Sequence, residues 1–328
     1  MKTCIQIALA TIAFVAASAM GQVAAVAQAQ DYPTRPVRII VGYPPGTSAD
    51  VTARVVSTGM GKILGQQFIV ENRPGAGSSL GAATAARADK DGYTLLLGSI
   101  ANTINAAMYS NLTFDFVKDF APVALLTTGP QLLVAHPSLG VNTVKEFIAL
   151  AKAKPDSITV GTAGGNGSAG HLTVELFKSK AGIRVLHVPY PGSPQATNDL
   201  ISGRIQAVIA PASTLLPHVQ SKAIVVLAST DAKRLTIAPE IPTISESGVP
   251  GFEAGLWFGL LAPAGTSGQI VEKLSHAAKE ALKSEEVMKP LHPLGFEIVG
   301  NTPDAFRSYI DSEAKLWSAV VNEAGLKQ

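Results

Sequence analysis

The stretch Val37-Arg38-Ile39-Ile40-Val41-Gly42-Tyr43-Pro44-Pro45-Gly46-Thr47-Ser48-Ala49-Asp50-Val51-Thr52-Ala53-Arg54 decides how the chain is read. Val37 to Val41 is an apolar, β-branched run of strand length. Pro44, Pro45 and Gly46 punctuate a turn. Thr47, Ser48 and Asp50 then offer capping side chains ahead of a periodic helical run through Arg54, Val55 and Met60. Strand, glycine-bearing loop and capped helix place free backbone N–H groups and a positive dipole end at the C-terminal edge of a sheet. That is an anion site made of backbone. Asp50 reads as a capping residue rather than a general base, because a carboxylate there repels an anionic ligand.

Working outward, the pattern repeats. Phe68-Ile69-Val70 is a short strand leading to Glu71-Asn72-Arg73-Pro74-Gly75-Ala76-Gly77-Ser78, and Tyr93 to Leu97 is another, ending in Gly98-Ser99-Ile100-Ala101. Phe120 to Leu126 and Gln131 to Ala135 are strands with a short break between them. A second strand–helix series follows: Thr159-Val160 into the glycine loop and a helix from His171, Arg184 to Val188 into Pro189-Tyr190-Pro191-Gly192-Ser193, and Ile205 to Ile209 into Ala210-Pro211-Ala212. Leu256 to Leu261 reads as a strand crossing between the halves; Ile270 to Leu282 and Pro303 to Ala324 read as helices. Strands alternating with helices define an α/β protein with mainly parallel sheets. Two series imply two lobes, 30–126 with 230–328 and 127–229, and a ligand cleft beyond the strand ends.

Composition narrows the classes. The 328 residues are 47% hydrophobic and 15% charged, with a formal net charge of +2, so the chain is globular and has no basic field for nucleic acid or a membrane surface. Met1 to Ala29 reads as a cleaved signal peptide: Lys2, an apolar core from Ile5 to Ala19, and Ala27-Gln28-Ala29 at the cleavage point. The sole cysteine, Cys4, lies inside it, which excludes thiol chemistry from the mature protein.

Catalytic and cofactor motifs fail on inspection. Gly165-Asn166-Gly167-Ser168-Ala169-Gly170 matches G-x-G-x-x-G, but Val188-Pro189-Tyr190 stands where a dinucleotide site needs an acid. No Walker-type lysine follows a glycine loop. Asn166 occupies a glycine position of G-x-S-x-G. The six histidines show no ligand spacing and read as helix-end or surface residues, with His171 the one to watch. Trp257 and Phe258 read as core. Tyr43 and Tyr190, one per lobe, read as aromatic walls of the cleft. No metal, cofactor or catalytic residue is expected.

Carried by Y-P-P-G-T-S-A-D-V-T-A-R, E-N-R-P-G-A-G-S-S-L-G-A, D-G-Y-T-L-L-L-G-S, D-F-A-P-V, G-N-G-S-A-G-H-L, H-V-P-Y-P-G-S, L-P-H-V and W-F-G-L-L-A-P-A-G-T, the mature chain resembles the Bug family, the TctC-like extracytoplasmic solute-binding proteins of tripartite tricarboxylate transporters. The resemblance implies a periplasmic flytrap that closes on a small organic carboxylate, a di- or tricarboxylate or an aromatic acid. It implies handover to a membrane permease or sensor, and monomer is the default state. It maps ligand contacts to Tyr43, Gly46, Thr47, Ser48 and Ala49, and to Ser99, Ile100 and Ala101. From the second lobe it maps Thr128, Thr162, Ala163, Asn166, Gly167, Ser168, Tyr190, Gly192, Ser193, Pro211 and Ala212. Two departures from the family pattern stand out: Gly46-Thr47 in place of Gly-Gly, and Ala210-Pro211-Ala212 where an Asp is common. The second favours a less polar acid over an amino acid. The competing reading is a periplasmic hydrolase or isomerase acting on a small acid.

Overall fold

A computed structural model describes residues 32–163 and 168–328. The signal segment expected at 1–29 lies outside the described residues. In chain order the elements are β1 (Val37–Val41), α1 (Ser48–Leu64), β2 (Phe68–Asn72), α2 (Ser79–Ala86), β3 (Thr94–Ser99), α3 (Ile100–Met108), β4 (Phe120–Gly129), β5 (Gln131–Ala135), α4 (Val144–Ala153), β6 (Thr159–Ala163), α5 (Ala169–Ala181), β7 (Leu186–Tyr190), α6 (Ser193–Ile201), β8 (Ala207–Pro211), α7 (Ala212–Gln220), β9 (Val225–Ser229), β10 (Leu256–Pro263), α8 (Gly268–Leu282), α9 (Glu285–Leu291), β11 (Glu297–Ile298) and α10 (Pro303–Glu323). Thr47 caps α1, its hydroxyl accepting from the Asp50 N–H at 3.4 Å. The helix stops at Gly65, whose φ of 69° an L side chain resists.

Six strands form one sheet in the order β11-β4-β10-β3-β1-β2, and five form a second in the order β7-β6-β8-β5-β9. β1, β2 and β3 are parallel, as are β6, β7 and β8. β10 runs against both β3 and β4. The end of β4, Gly129 opposite Leu256, therefore lies on the same edge as the ends of β1 and β3. Only Pro130 separates it from β5, whose first residue, Gln131, pairs with Pro211 at the end of β8. β9 ends on that edge too, Ser229 opposite Leu132, and the chain returns through 230–255 to β10. Two crossings thus join the C-terminal edges of the sheets, and the loops at those edges face each other.

Helices α1 and α8 bury one face of the first sheet, with Val56, Met60, Leu274 and Ala278 against Val41, Leu97 and Phe258. The opposite face is covered by α3 and α10. Its core continues through Trp257, Trp317, Phe252 and Phe177 into one face of the second sheet, so the lobes share apolar packing behind the cleft. The remaining face of the second sheet packs under α6 and α7. Trp257 is fully buried, and its indole donates to Glu313 Oε2 at 2.9 Å, the core role its sequence context suggested.

Candidate ligand-binding site

The first lobe's half of the site is braced from behind. Tyr43 follows β1, and its hydroxyl lies 2.7 Å from Ser99 Oγ at the end of β3. Gly46, with φ +81° and open space around it, carries the turn into α1. Asp50, only 3% exposed, organises that turn. Its carboxylate accepts from Gly46 N at 2.9 Å, Asn72 Nδ2 at 2.8 Å and Arg54 Nε at 3.0 Å. Burial pushes the Asp50 carboxyl up, but the Arg54, Gly46 and Asn72 hydrogen bonds outweigh it and hold it below the usual carboxylate range. Asn72 Nδ2 also donates to Tyr43 O, so β2 and the loop are tied together. Arg54 is thereby committed to Asp50 and Asn72.

A second brace comes from residues 76–78, where Ala76, Gly77 and Ser78 all take positive φ. Asn105 Nδ2 donates to Gly77 O at 2.7 Å and Ser79 Oγ at 2.9 Å, holding this conformation. The loop lies directly on Gly42: a Cβ there would fall 2.0 Å from Ser78 Oγ. Ser99 N donates to Asn102 Oδ1, capping α3. These braces lie beside the first turns of α1 (Ser48, Ala49) and α3 (Ile100, Ala101), whose N–H groups have no carbonyl to meet inside their own helices.

The second lobe's half is simpler. Ser168 caps α5 by accepting from His171 N at 3.3 Å. Gly192 and Ser193 open α6, and Pro211 and Ala212 open α7, neither with a side-chain cap. Thr162 and Ala163 end β6. Asn166 and Gly167 lie outside the described residues. Thr128, expected in the second lobe, is a β4 residue of the first sheet, opposite Trp257 and Glu297, because that strand runs on to Gly129. The Tyr190 hydroxyl turns into its own lobe and donates to Asp199 Oδ2 at 2.9 Å. Ala212 N donates to Pro130 O, so with the proline before it that loop presents apolar surface.

His187, a β7 residue, departs from the surface or helix-end role read in the sequence, while His171 does sit in the first turn of α5 but is buried. His171, 7% exposed, stacks on His187 with ring centroids 4.2 Å apart, and His187 Nε2 lies 2.7 Å from Thr162 Oγ1. Burial, then the neighbouring His171, pushes His187 down to about 4, while His171 Nε2 lies 3.6 Å from Glu175 Oε1. No spacing in the sequence signals this pair, since the two residues sit on different elements. The braces Asn72, Ser78, Asn102 and Asn105 were also missed as partners; only Asn102, three residues after Ser99, carries a local capping signal.

Among the described residues no group of three or more His, Cys, Asp or Glu side chains could hold a metal ion, and no helix is long and apolar enough to cross a membrane. A surface cavity lined by Arg35, Arg38 and Arg87 sits at the opposite, N-terminal edge of β1 and β3, away from these loops.

Two mixed α/β sheets whose C-terminal edges face each other across two crossings, with helix N-termini on both sides, define a two-lobed solute-binding protein. The family profile described as "Tripartite tricarboxylate transporter family receptor" matches residues 52–326. BugT of Bordetella pertussis is 36% identical over 307 residues, 93% of this chain and 94% of that protein. Among solved structures, one from R. palustris with adipate is 33% identical with a TM-score of 0.78, covering 90% of this chain and 99% of its own. MatC from Rhodopseudomonas palustris with bound malate is 31% identical with a TM-score of 0.75, covering 88% and 100%. The chain belongs to the TctC family of tripartite tricarboxylate transporter receptors.

Proposed function

We propose that this protein captures a small organic carboxylate between its lobes in the periplasm and passes it to a membrane permease or reports it to a sensor, without chemical turnover. The observation that carries the reading is the first-lobe half-site: α1 and α3 both begin at the C-terminal edge of the first sheet, after Thr47 and Ser99, and Arg54 is already committed to Asp50. Hydrogen bonds to a charged group contribute about 1.5–3 kcal/mol each, so four or five reach the ~8 kcal/mol of micromolar binding before association costs. Tyr43, Gly46, Thr47, Ser48, Ala49, Ser99, Ile100 and Ala101 hold the carboxylate. Ala163, Ser168, Gly192, Ser193 and Pro211 shape the far wall. The adipate and malate held by two relatives favour a diacid with a short, uncharged body. The hydrolase reading has no support, since the matching family and fold are those of solute-binding proteins.

A thermal-shift screen of residues 30–328 against adipate, malate, aromatic acids and the matching amides tests this. A ligand at 100 times its dissociation constant stabilises by about 2.7 kcal/mol. Shifts with acids and none with amides are expected. Equal shifts with both, or none with either, would sink the carboxylate reading.

A further inference from the structure

The place where the lobes join holds a fully buried polar knot that reaches the proposed ligand site. Gln131, 2% exposed, opens β5 immediately after the first crossing. Its backbone pairs with Thr230 on the second crossing: Thr230 N donates to Gln131 O at 2.9 Å, and Gln131 N donates to Thr230 Oγ1 at 3.3 Å. Thr230 Oγ1 in turn donates to Ala254 O at 3.0 Å, on the return toward β10. The Gln131 side chain leaves this knot in two directions. Nε2 lies 3.2 Å from Ala254 O and 3.2 Å from Thr173 Oγ1. Thr173, fully buried on α5, donates its hydroxyl to Ala169 O at 2.8 Å. Ala169 is the first residue of α5, directly after its cap Ser168. Hydrogen bonds therefore run without a gap from both crossings to the first turn of the second-lobe helix.

We infer that Gln131 is a positioning residue: through Thr173 it fixes the direction of the α5 N-terminus relative to the crossings, and so aligns the second-lobe half of the ligand site with the first. This rests on the ligand reading above. A buried amide with two acceptors is costly to disorient, because any turn of its plane strands a donor. If α5 is freed from the knot, fewer molecules present both half-sites in register, and apparent affinity falls by that fraction.

Gln131→Leu removes the amide at similar volume. Thr173→Val cuts the same link without touching the crossings, and Thr173→Ser keeps the hydroxyl. Two readouts apply to the full mature chain: amide hydrogen exchange of Leu172 and Thr173 without ligand, and calorimetric affinity for adipate and malate. Gln131→Leu and Thr173→Val should each speed exchange at those amides and weaken acid binding about three- to tenfold, while Thr173→Ser restores both. The double variant should lose no more affinity than either single, because both cut one link. Unchanged exchange, unchanged affinity or additive losses in the folded Thr173→Val protein would overturn the inference, whatever becomes of Gln131→Leu. If exchange follows the pattern but the wild type binds neither acid, the coupling of crossing to helix stands and the ligand reading is what fails.

Discussion

The two halves of the cleft are built on the same strand–loop–helix plan and finished differently. In the first lobe, side chains from β2, α1, α3 and the 76–78 turn all point back at the loop and lock it, through Asp50, Asn72, Ser78 and Asn105. In the second, of the three helices that follow β6, β7 and β8, α6 and α7 begin with no side-chain cap and Ser168 caps α5. A locked loop presents its N–H groups without reorganising, which suits a group every ligand shares. Loops of small residues can change shape at little cost, which suits the part that differs between ligands. On the proposed reading, the first lobe binds the charge and the second selects the rest.

The comparison can be broken most severely at Asp50. Asp50→Ala strands Gly46 N and Asn72 Nδ2 and should cost about 2–3 kcal/mol of stability, with at least a roughly tenfold loss of acid affinity. Urea unfolding and calorimetry with adipate would check both; intact affinity would mean the first loop needs no lock. Gly42→Ala comes next. Its methyl group would collide with Ser78, pushing the two braced loops apart at a cost of about 2 kcal/mol. Melting temperature reads this directly, and no loss would show that the loops are not held in contact.

Between the halves, Asp231 follows the polar knot and is pushed up to about 7, first by burial and then by Glu253 and Glu297. The folded protein then keeps a proton that the unfolded chain releases near the ordinary value of 3.8. Stability should fall as pH rises from about 4 to about 7 and level off above it. Asp231→Asn should flatten that part of the pH–melting profile; an unchanged slope would assign it elsewhere. The smallest effect belongs to the second lobe. Tyr190→Phe removes only a hydrogen bond to Asp199, about 1.5 kcal/mol at this partly exposed site, and should leave acid affinity alone. A drop in affinity would return that hydroxyl to the ligand.

Local chemistry made much of this legible in the sequence. β1, the Thr47 cap, the small-residue loops and the long helix from Pro303 all follow from period, capping and turn residues within a few positions. Long-range pairing was not legible. Nothing near Thr128 shows that β4 continues into the first sheet, since a Thr/Gly/Pro run reads as a break until β10 pairs with it. Likewise Asn72 and Asp50, or His171 and His187, become partners only when separate elements meet. The loops at the strand ends could be read from the sequence; the bracing of the first one could not, because it comes from Asp50, Asn72 and Asn105 on separate elements.

Pro130 leaves a single residue between the two sheets, beside a knot that ties the other crossing to it. So short a tether forbids the lobes to slide, leaving rotation as their freedom. On the proposed reading the molecule then works as a caliper, in which the length of the acid gripped becomes an angle. Across straight-chain diacids, affinity should peak at one chain length and fall on both sides, instead of climbing with each added methylene.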